Sequence, residues 1–502
     1  MLQEQAFPSQ IYILIERRSD ITGQSLKNNL LKLECHFTWA VFKEEMDINN
    51  IEDRVHDQIE YLPSTPRHRL HNILSYTSYL KGDNEEAIRQ LQKAEEHLQG
   101  TQSADVDIKR AVTYSNYAWL FYHSKQLSKA QSYLEKVEAI YKRFESFTEH
   151  DVLLTEIYGE QAWALLTFYG KYCERAKECF EKALKLDADN PELNLGYATV
   201  MYRIESQDLI VYGTSKYPSL ELLRRAVELN KNDTVIKAYL ALRYQSLGQA
   251  EEGGKIMEEA LRQRPDSPYL LRYAAKFYRN EGRIDDAITI LKKALEQTPT
   301  SGSLHHQIGL CYKKKMLMKS AKTARLSNQP MNTYTRDINE AISSATFHFE
   351  EAVANKKIFV EAYIDLGSMY GRAGEFEKAE VTFQTVLHLK NLTCEDKQEI
   401  HFGYALFKQH AVRSESEAIK HYKEVLLIPN KTKFRSYSRN NLKQLAEQKA
   451  TKHPSDGFGF GLLGFIYQQE AIDYYEKALE LDPDNEDYMS ALCCLRLSLT
   501  RD

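Results

Sequence analysis

Helix breakers are scarce in this chain of 502 residues, which has only 12 prolines. Such a composition is that of an ordinary folded protein and excludes a largely disordered chain. The seven cysteines show no C-x-x-C spacing, which argues against a disulfide framework and against a zinc site. The apolar run Ile11–Ile15 is too short for a signal peptide or a membrane span. We therefore expect a cytoplasmic protein with no metal, no other cofactor and no membrane association.

Positive charge is also lacking over the chain as a whole, because the formal net charge is −5. This balance excludes a protein that binds nucleic acid through its overall charge. Any site for a polyanion must be a local concentration of lysine and arginine. Tyrosine, in contrast, is abundant, with 32 residues against 20 phenylalanines. Many positions are therefore expected to bury an aromatic ring and keep its hydroxyl near water.

A period of 34 residues appears when the chain is aligned with itself. The recurring positions are Ala241, Ala275 and Gly309; Tyr244, Tyr278 and Tyr312; Gly248 and Gly282; Ala260 and Ala294; and Pro265 and Pro299. This period is that of tetratricopeptide repeats, each of which is a helix–turn–helix unit. Small residues let the two helices pack closely, and the glycine ends the first helix. The pattern predicts an all-α superhelical solenoid of tetratricopeptide repeats with an internal groove.

The repeats define the expected domain boundaries. We expect an N-terminal tail over residues 1–25, and repeats over 26–203, 219–315 and 341–502. Residues 204–218 and 316–340 interrupt two units and are predicted to be inserted loops, either functional or tolerated surface insertions. In the last unit, the stretch from Gly464 to Ala471 is about five residues shorter than the repeat requires. A damaged turn between the two helices is predicted there.

One stripe of a predicted helix carries most of the functional signal. In the unit 268–301, the core-facing side chains are expected to be Leu271, Ala274, Ala275 and Tyr278. The stripe that lines the groove is expected to hold Tyr269, Arg272, Tyr273, Lys276 and Arg279, and the next unit adds His306, Gln307 and Lys313. Cations suit phosphates, aromatic rings suit bases and amides suit base edges, so the stripe favours single-stranded nucleic acid. A solvated charged face that merely keeps the groove soluble is the alternative.

Signals for catalysis are weak. Gly254-Lys255 resembles the end of a phosphate-binding loop, but it lies inside a predicted repeat helix. His305, His306 and Cys311 are better explained by core and groove positions than by metal binding. We expect a protein that acts by binding rather than by catalysing a reaction.

Several segments are far more specific than a generic repeat. They are Cys35–Trp39, Asn116–Trp119, Trp163–Leu166, Leu271–Tyr278, Leu304–Tyr312 and Ser344–Phe349. In order and spacing they resemble the interferon-induced proteins with tetratricopeptide repeats, and the resemblance covers roughly residues 26–499. It implies a curled helical solenoid with a basic internal tunnel that accepts the 5′ end of single-stranded RNA. It also implies an antiviral protein that blocks translation of RNA with a 5′ triphosphate or a cap lacking 2′-O-methylation.

The resemblance assigns roles to individual residues. It matches Arg54 and Gln58 to contacts with the terminal phosphates, and Ser64 stands in place of a nearby threonine. Trp163 and Arg203 match positions at the cap guanine, Lys356 or Lys357 matches a basic position further along the tunnel, and Tyr475 and Leu479 match positions used for pairing between family members. The remaining matches are tunnel residues, namely Tyr269, Arg272, Tyr273, Lys276, Arg279, His306 and Gln307.

Two departures from the family pattern bear on the activity. Thr167 stands where RNA-binding members carry a phosphate-contacting lysine, and Cys173 stands where they carry a tyrosine. Loss of one desolvated cation weakens phosphate binding by about 1.5–3 kcal/mol. The RNA-binding interpretation therefore has a rival, a protein-binding scaffold of the same family with little RNA affinity.

Overall fold

The computed structural model describes residues 23–43, 48–62, 65–99, 104–144, 146–168, 172–212, 218–325, 331–356, 358–389, 392–430, 432–452 and 457–499. Within these ranges every regular element is helical, which confirms the predicted all-α fold. The chain divides into two compact units, Met1–Pro299 (unit 1) and Thr300–Asp502 (unit 2). No helix among the described residues is long and apolar enough to cross a membrane.

Unit 1 is built from helix pairs. Its helices are α1 (Gly23–Leu30), α2 (Ile48–Tyr61), α3 (Arg67–Lys81), α4 (Asn84–Glu96), α5 (Ala104–His123), α6 (Leu127–Tyr141), α7 (Phe147–Phe168), α8 (Cys173–Leu186), α9 (Pro191–Tyr212), α10 (Ser219–Leu229), α11 (Thr234–Ser246), α12 (Ala250–Gln263), α13 (Pro268–Asn280) and α14 (Ile284–Gln297). From α3 onward, each odd-numbered helix packs against the helix that follows it. The odd-numbered helices α9, α11 and α13 also contact one another in order, so their side chains share one face.

Unit 2 continues the same architecture. Its helices are α15 (Gly302–Arg325), α16 (Met331–Asn355), α17 (Val360–Ala373), α18 (Phe376–Leu387), α19 (Cys394–Phe407), α20 (Glu415–Leu427), α21 (Lys433–Lys452), α22 (Phe458–Leu481) and α23 (Glu486–Leu499). A π-helical turn, Lys408–Val412, follows α19. Pairs form between α15 and α16, α17 and α18, α19 and α20, and α21 and α22.

The repeat positions behave as their residue types predict. Gly248 and Gly282 have φ angles of +77° and +78°, a left-handed conformation that ends α11 and α13 with little steric cost. Ala241 and Ala275 are fully buried where the paired helices meet. At the equivalent Gly309, an added Cβ would lie 2.5 Å from the Phe349 ring, so only glycine allows this approach.

The two predicted loops are largely helical instead. α9 continues to Tyr212, so most of the expected interruption 204–218 extends the first helix of its pair. Residues 316–325 lengthen α15 and residues 331–340 lengthen α16, while 326–330 lie outside the described residues. The two helices pack along each other with Met316 buried and with a 2.5 Å bond from Lys319 Nζ to Asp337 Oδ2. The loop prediction was wrong because a departure from the repeat length was equated with a loop. Neither α9 nor the described inserted residues contain a breaker at the expected helix ends, and residues such as Met, Lys and Ala favour helix.

The two ends of the chain can also be compared with the predicted boundaries. The expected tail over residues 1–25 overlaps α1, which begins at Gly23, while residues 1–22 lie outside the described part of the chain. The shortened last repeat has lost its turn as predicted, since α22 runs without a break from Phe458 to Leu481. The second half of α22 therefore cannot fold back on the first half, and Tyr474 and Leu481 are 74% and 81% exposed.

Candidate functional site

Helix α13 separates buried and accessible side chains as its sequence predicts. Ser267 caps the helix by accepting a hydrogen bond from the backbone N–H of Leu270, and Pro268 occupies the first turn. The predicted core residues Leu271, Ala274, Ala275 and Tyr278 are all buried. The other stripe keeps accessible surface, and its members are Tyr269, Arg272, Tyr273, Lys276 and Arg279. The period of the helix thus decides which side chains are available to a ligand.

Arg272 is held between aromatic rings. Its guanidinium carbon lies 4.5 Å from the ring centroid of Tyr269 and 5.4 Å from that of Tyr273. Cation–π contacts of this kind orient the guanidinium without neutralising its charge. Among the described residues, neither Arg272 nor Lys276 forms an ion pair with a carboxylate. Both cations therefore remain available to an anion.

Tyrosines from three successive first helices form a ladder beside these cations. Tyr202 of α9 stacks on Tyr239 of α11 at 4.9 Å and 15°, and Tyr239 meets the Tyr273 ring edge-on at 4.9 Å. The hydroxyls of Tyr239 and Tyr273 are 2.9 Å apart and share a hydrogen bond. Burial opposes ionisation of Tyr273, but Arg272, this hydrogen bond and Arg203 outweigh burial and lower the pKa of Tyr273. The ladder thus lies inside a positive field.

Two further arginines are anchored on the end of α7. Arg54 Nη2 donates to the backbone oxygen of Thr167 at 2.9 Å, and Arg203 Nη1 donates to that of Leu166 at 2.9 Å. Carbonyls at a helix C-terminus lack helical partners and carry partial negative charge, so they bind cations well. Burial raises the pKa of Cys173, and the charges of Arg203 and Arg54 both oppose that rise. No sequence pattern predicted these two hydrogen bonds, which bring α2 and α9 together at the end of α7.

The electrostatics of these side chains connect them to one another. Burial lowers the pKa of Lys276, and Arg279 and Arg243 lower it further against the opposite influence of Tyr273. Burial also raises the pKa of Tyr269, to which the charge of Asp57 on α2 contributes. The charge of α2 therefore reaches Tyr269 on α13. We call this region the inner recess; its residues are Arg54, Arg203, Tyr239, Tyr269, Arg272, Tyr273 and Lys276.

Trp163 is more enclosed than a freely accessible stacking platform. Its ring meets Phe180 edge-on at 5.6 Å, and the guanidinium carbon of Arg69 lies 5.4 Å from its centroid. Arg69 is in turn fixed by Glu160 and Glu192, at 2.6 and 2.7 Å. The indole Nε1 is buried with no acceptor among the described residues. The half-buried ring therefore serves packing and keeps part of its surface accessible.

The remaining N-terminal candidates are partly described. Gln58 is half-buried one turn after Arg54 on α2, which places both on the same side of that helix. Ser64 lies outside the described residues.

The candidates of unit 2 have a different environment. His306 Nε2 lies 2.9 Å from Oδ2 of Asp365, and Lys313 Nζ donates to Oδ1 of the same carboxylate at 2.5 Å. Gln307 is half-buried, and Lys356 lies 5.0 Å from the Phe359 centroid. Asp365 was not identified from the sequence, because its position in the repeat holds tyrosine in unit 1.

The histidines of α15 do not converge on one point. His305 Nδ1 contacts His348 Nδ1 at 3.1 Å, whereas His306 contacts Asp365. The two side chains thus have different partners, as core and groove positions in a repeat would give them.

Helix pairs of this kind, with a cationic and aromatic recess on the first helices, define a tetratricopeptide-repeat binding protein. A tetratricopeptide-repeat model matches residues 244–308, and a second such model matches residues 172–190 and 467–485.

Curated relatives identify the family. The chain is 43% identical over 470 residues to the antiviral innate immune response effector IFIT1 of Macaca fascicularis, covering 93% of this chain and 98% of the relative. It is 42% identical over 467 residues to the Homo sapiens protein of that name, covering 92% and 97%. It is 34% identical over 473 residues to human interferon-induced protein with tetratricopeptide repeats 2, covering 93% and 96%. The chain belongs to the family of interferon-induced proteins with tetratricopeptide repeats.

Solved structures agree with this assignment. The human IFIT1 dimer with m7Gppp-AAAA is 41% identical and superposes with a TM-score of 0.72, covering 91% of this chain and 100% of that one. The human IFIT1 dimer with PPP-AAAA has the same identity and coverage and a TM-score of 0.69.

Proposed function

We propose that this protein is a cytoplasmic antiviral effector that binds the 5′ end of single-stranded RNA in the inner recess and thereby blocks translation. The observation that carries the proposal is the pair Arg272 and Lys276, a half-buried and an exposed cation with no carboxylate partner among the described residues. Cations that no carboxylate neutralises can form charge-assisted hydrogen bonds to a phosphate. The end recognised is a triphosphate or a cap lacking 2′-O-methylation.

The recess supplies each interaction that a 5′ end requires. Arg54, Arg203 and Arg272 are orientated by carbonyls or aromatic rings, so they lose little conformational entropy when phosphate binds. Tyr269 and Tyr273 offer ring surface to the first bases. These side chains bind and hold RNA, and the proposal requires no reaction.

The relatives support the biological part of the proposal. IFIT1 is named an antiviral innate immune response effector, and its human structures hold m7Gppp-AAAA and PPP-AAAA. Human IFIT1 is a dimer in those structures, and the half-buried Tyr475 and Leu479 on α22 are our candidates for an equivalent contact here.

The decisive experiment is binding of one short RNA with four different 5′ ends: triphosphate, cap, 2′-O-methylated cap and hydroxyl. Each is measured at low and at physiological salt with the wild type, Arg272→Glu and Lys292→Glu. Lys292 is the matched control because it is an exposed cation on the outer helix α14. We expect a clear preference for the triphosphate or unmethylated cap, a loss of about 100-fold in Arg272→Glu, and little change in Lys292→Glu.

Weak binding to all four ends that disappears with salt would contradict this function. That result would favour the protein-binding scaffold, in which case the recess holds no RNA.

A further inference from the structure

The extension of α9 supplies a buried carboxylate to α11. Residues 204–218 interrupt the repeat, and the structure continues α9 into them as far as Tyr212. Glu205 stands at the start of this extension and is buried. Its Oε1 accepts a hydrogen bond from the backbone N–H of Ser219 at 2.6 Å, and its Oε2 lies 3.0 Å from Nη2 of Arg243 on α11. One residue of the interruption thus has defined partners on two other helices.

Arg243 joins this carboxylate to the tyrosine ladder. The Arg243 side chain is only 2% exposed, so it offers no surface to RNA. Its guanidinium carbon lies 4.9 Å from the ring centroid of Tyr202, and the same ring stacks on Tyr239 at 4.9 Å and 15°. Arg243 and Tyr239 are four residues apart on α11, so they lie on one side of that helix, and both contact Tyr202. Arg243 therefore fixes where the Tyr202 ring lies against Tyr239.

The ladder continues from Tyr239 to Arg272. The hydroxyls of Tyr239 and Tyr273 share a hydrogen bond of 2.9 Å. The Tyr273 ring centroid lies 5.4 Å from the guanidinium carbon of Arg272. Stacking and hydrogen bonding both depend on the angle and separation of the groups, so a displaced ring changes the geometry of the next one. An unbroken series of contacts thus leads from the buried Glu205 to Arg272, which keeps accessible surface.

We propose that Glu205 and Arg243 form a positioning pair for RNA binding, which holds the tyrosine ladder so that Arg272 meets the 5′ end already oriented. This inference rests on the proposed function, because the ligand is the RNA of the inner recess. Both members of the pair are buried, so neither touches RNA and each acts only through the ladder. Orientation before binding raises affinity because less conformational entropy is lost when the RNA binds.

The test measures binding of a 5′-triphosphate RNA to the full-length protein and to the pair variant, which combines Glu205→Gln with Arg243→Gln. The pair variant removes one charge of each sign, so the net charge near the recess is unchanged and no unpaired charge is left in the interior. Lys237→Gln with Glu259→Gln is the matched control. Lys237 is also buried on α11, but its 2.5 Å ion pair with Glu259 is directed to α12. Thermal unfolding checks that each variant is folded.

Two further variants separate positioning from a general effect on stability. Arg243→Lys keeps a cation beside Glu205 and Tyr202, and its affinity should stay within about twofold of the wild type. Tyr202→Leu removes the ring through which the pair acts. Combining Tyr202→Leu with the pair variant gives a double-mutant cycle, which measures whether the two changes act on the same interaction.

We expect about a fivefold loss of affinity in the pair variant and in Tyr202→Leu, and a change of less than about twofold in the control. Added to Tyr202→Leu, the pair variant should lower affinity by less than about twofold, because the pair no longer has a ring to hold. The slope of log K against log salt should stay as in the wild type, since no phosphate contact is removed.

An affinity within about twofold of the wild type in the folded pair variant would overturn the inference. The same loss in the control, or an undiminished loss in the Tyr202→Leu background, would also overturn it, because the effect would then not pass through the ladder. If the pair variant does not fold, Tyr202→Leu alone carries the test, and wild-type affinity in that variant contradicts the inference. A wild type that binds no RNA would instead refute the proposed function, so the two failures are distinguishable.

Discussion

Two repeats that follow each other in the sequence place side chains at equivalent positions, but these side chains have different partners. In the repeat of α13, Arg272 lies between two tyrosine rings and has no ion pair among the described residues. At the equivalent place in α15, His306 contacts Asp365. The backbone periodicity is the same in both, so it decides only where a side chain lies. The charge of the neighbour decides whether that side chain is available to a ligand.

The largest expected effect comes from placing a carboxylate in unit 1 at the repeat position that holds Asp365 in unit 2. Tyr273→Asp places a carboxylate beside Arg272 and Lys276, where it would pair with these cations and repel phosphate. We expect RNA affinity to fall by about 100-fold. Equilibrium binding of 5′-triphosphate RNA measures this effect. Tyr273→Phe removes only the hydroxyl bond to Tyr239 and should weaken binding no more than a few-fold.

Affinity within about threefold of the wild type in folded Tyr273→Asp would show that the charge at position 273 does not control binding.

Exchanging one residue between the repeats of α13 and α15 should have an intermediate effect on RNA affinity. Lys276 corresponds to Leu310 in the next repeat, so Lys276→Leu removes one cation that has no carboxylate partner among the described residues. We expect about a tenfold loss of RNA affinity and a less steep salt dependence. The reciprocal Leu310→Lys adds a cation to the unit that contains Asp365, and we expect less than a threefold gain. Titrations of both variants against salt test the comparison, and equal and opposite changes would contradict it.

The smallest expected effect is a dependence on pH. Because the pKa of Lys276 is lowered in the free protein, whereas a bound phosphate would raise it, the free protein loses this charge first as the pH rises. RNA affinity should therefore fall by about threefold between about pH 7 and about pH 9. Lys276→Arg keeps its charge over this range and should remove most of the decrease. An equal decrease in both proteins would assign the titration to another group.

Much of the fold and part of the site could be predicted from the sequence. The 34-residue period identified the helix pairs, and the stripe Tyr269 to Arg279 keeps the accessible surface that a helix repeating its face every three to four residues predicts. Residues 316–340 were assigned wrongly, since an insertion that is itself helical lengthens a helix pair without a sequence marker. Asp365 and the anchors Thr167 and Leu166 were missed because each partner is distant in the sequence.

By itself the sequence determined the all-α repeat architecture, the helix ends at glycine, the missing turn in α22 and the accessible side of α13. These features depend on local residue types and their spacing. Only the tertiary structure decided that Arg54 and Arg203 share the end of α7, and that His306 and Lys313 share the carboxylate of Asp365. Such pairings depend on which side chains the packed helices bring within a few ångströms, and the charge of each pairing decides where a polyanion can bind.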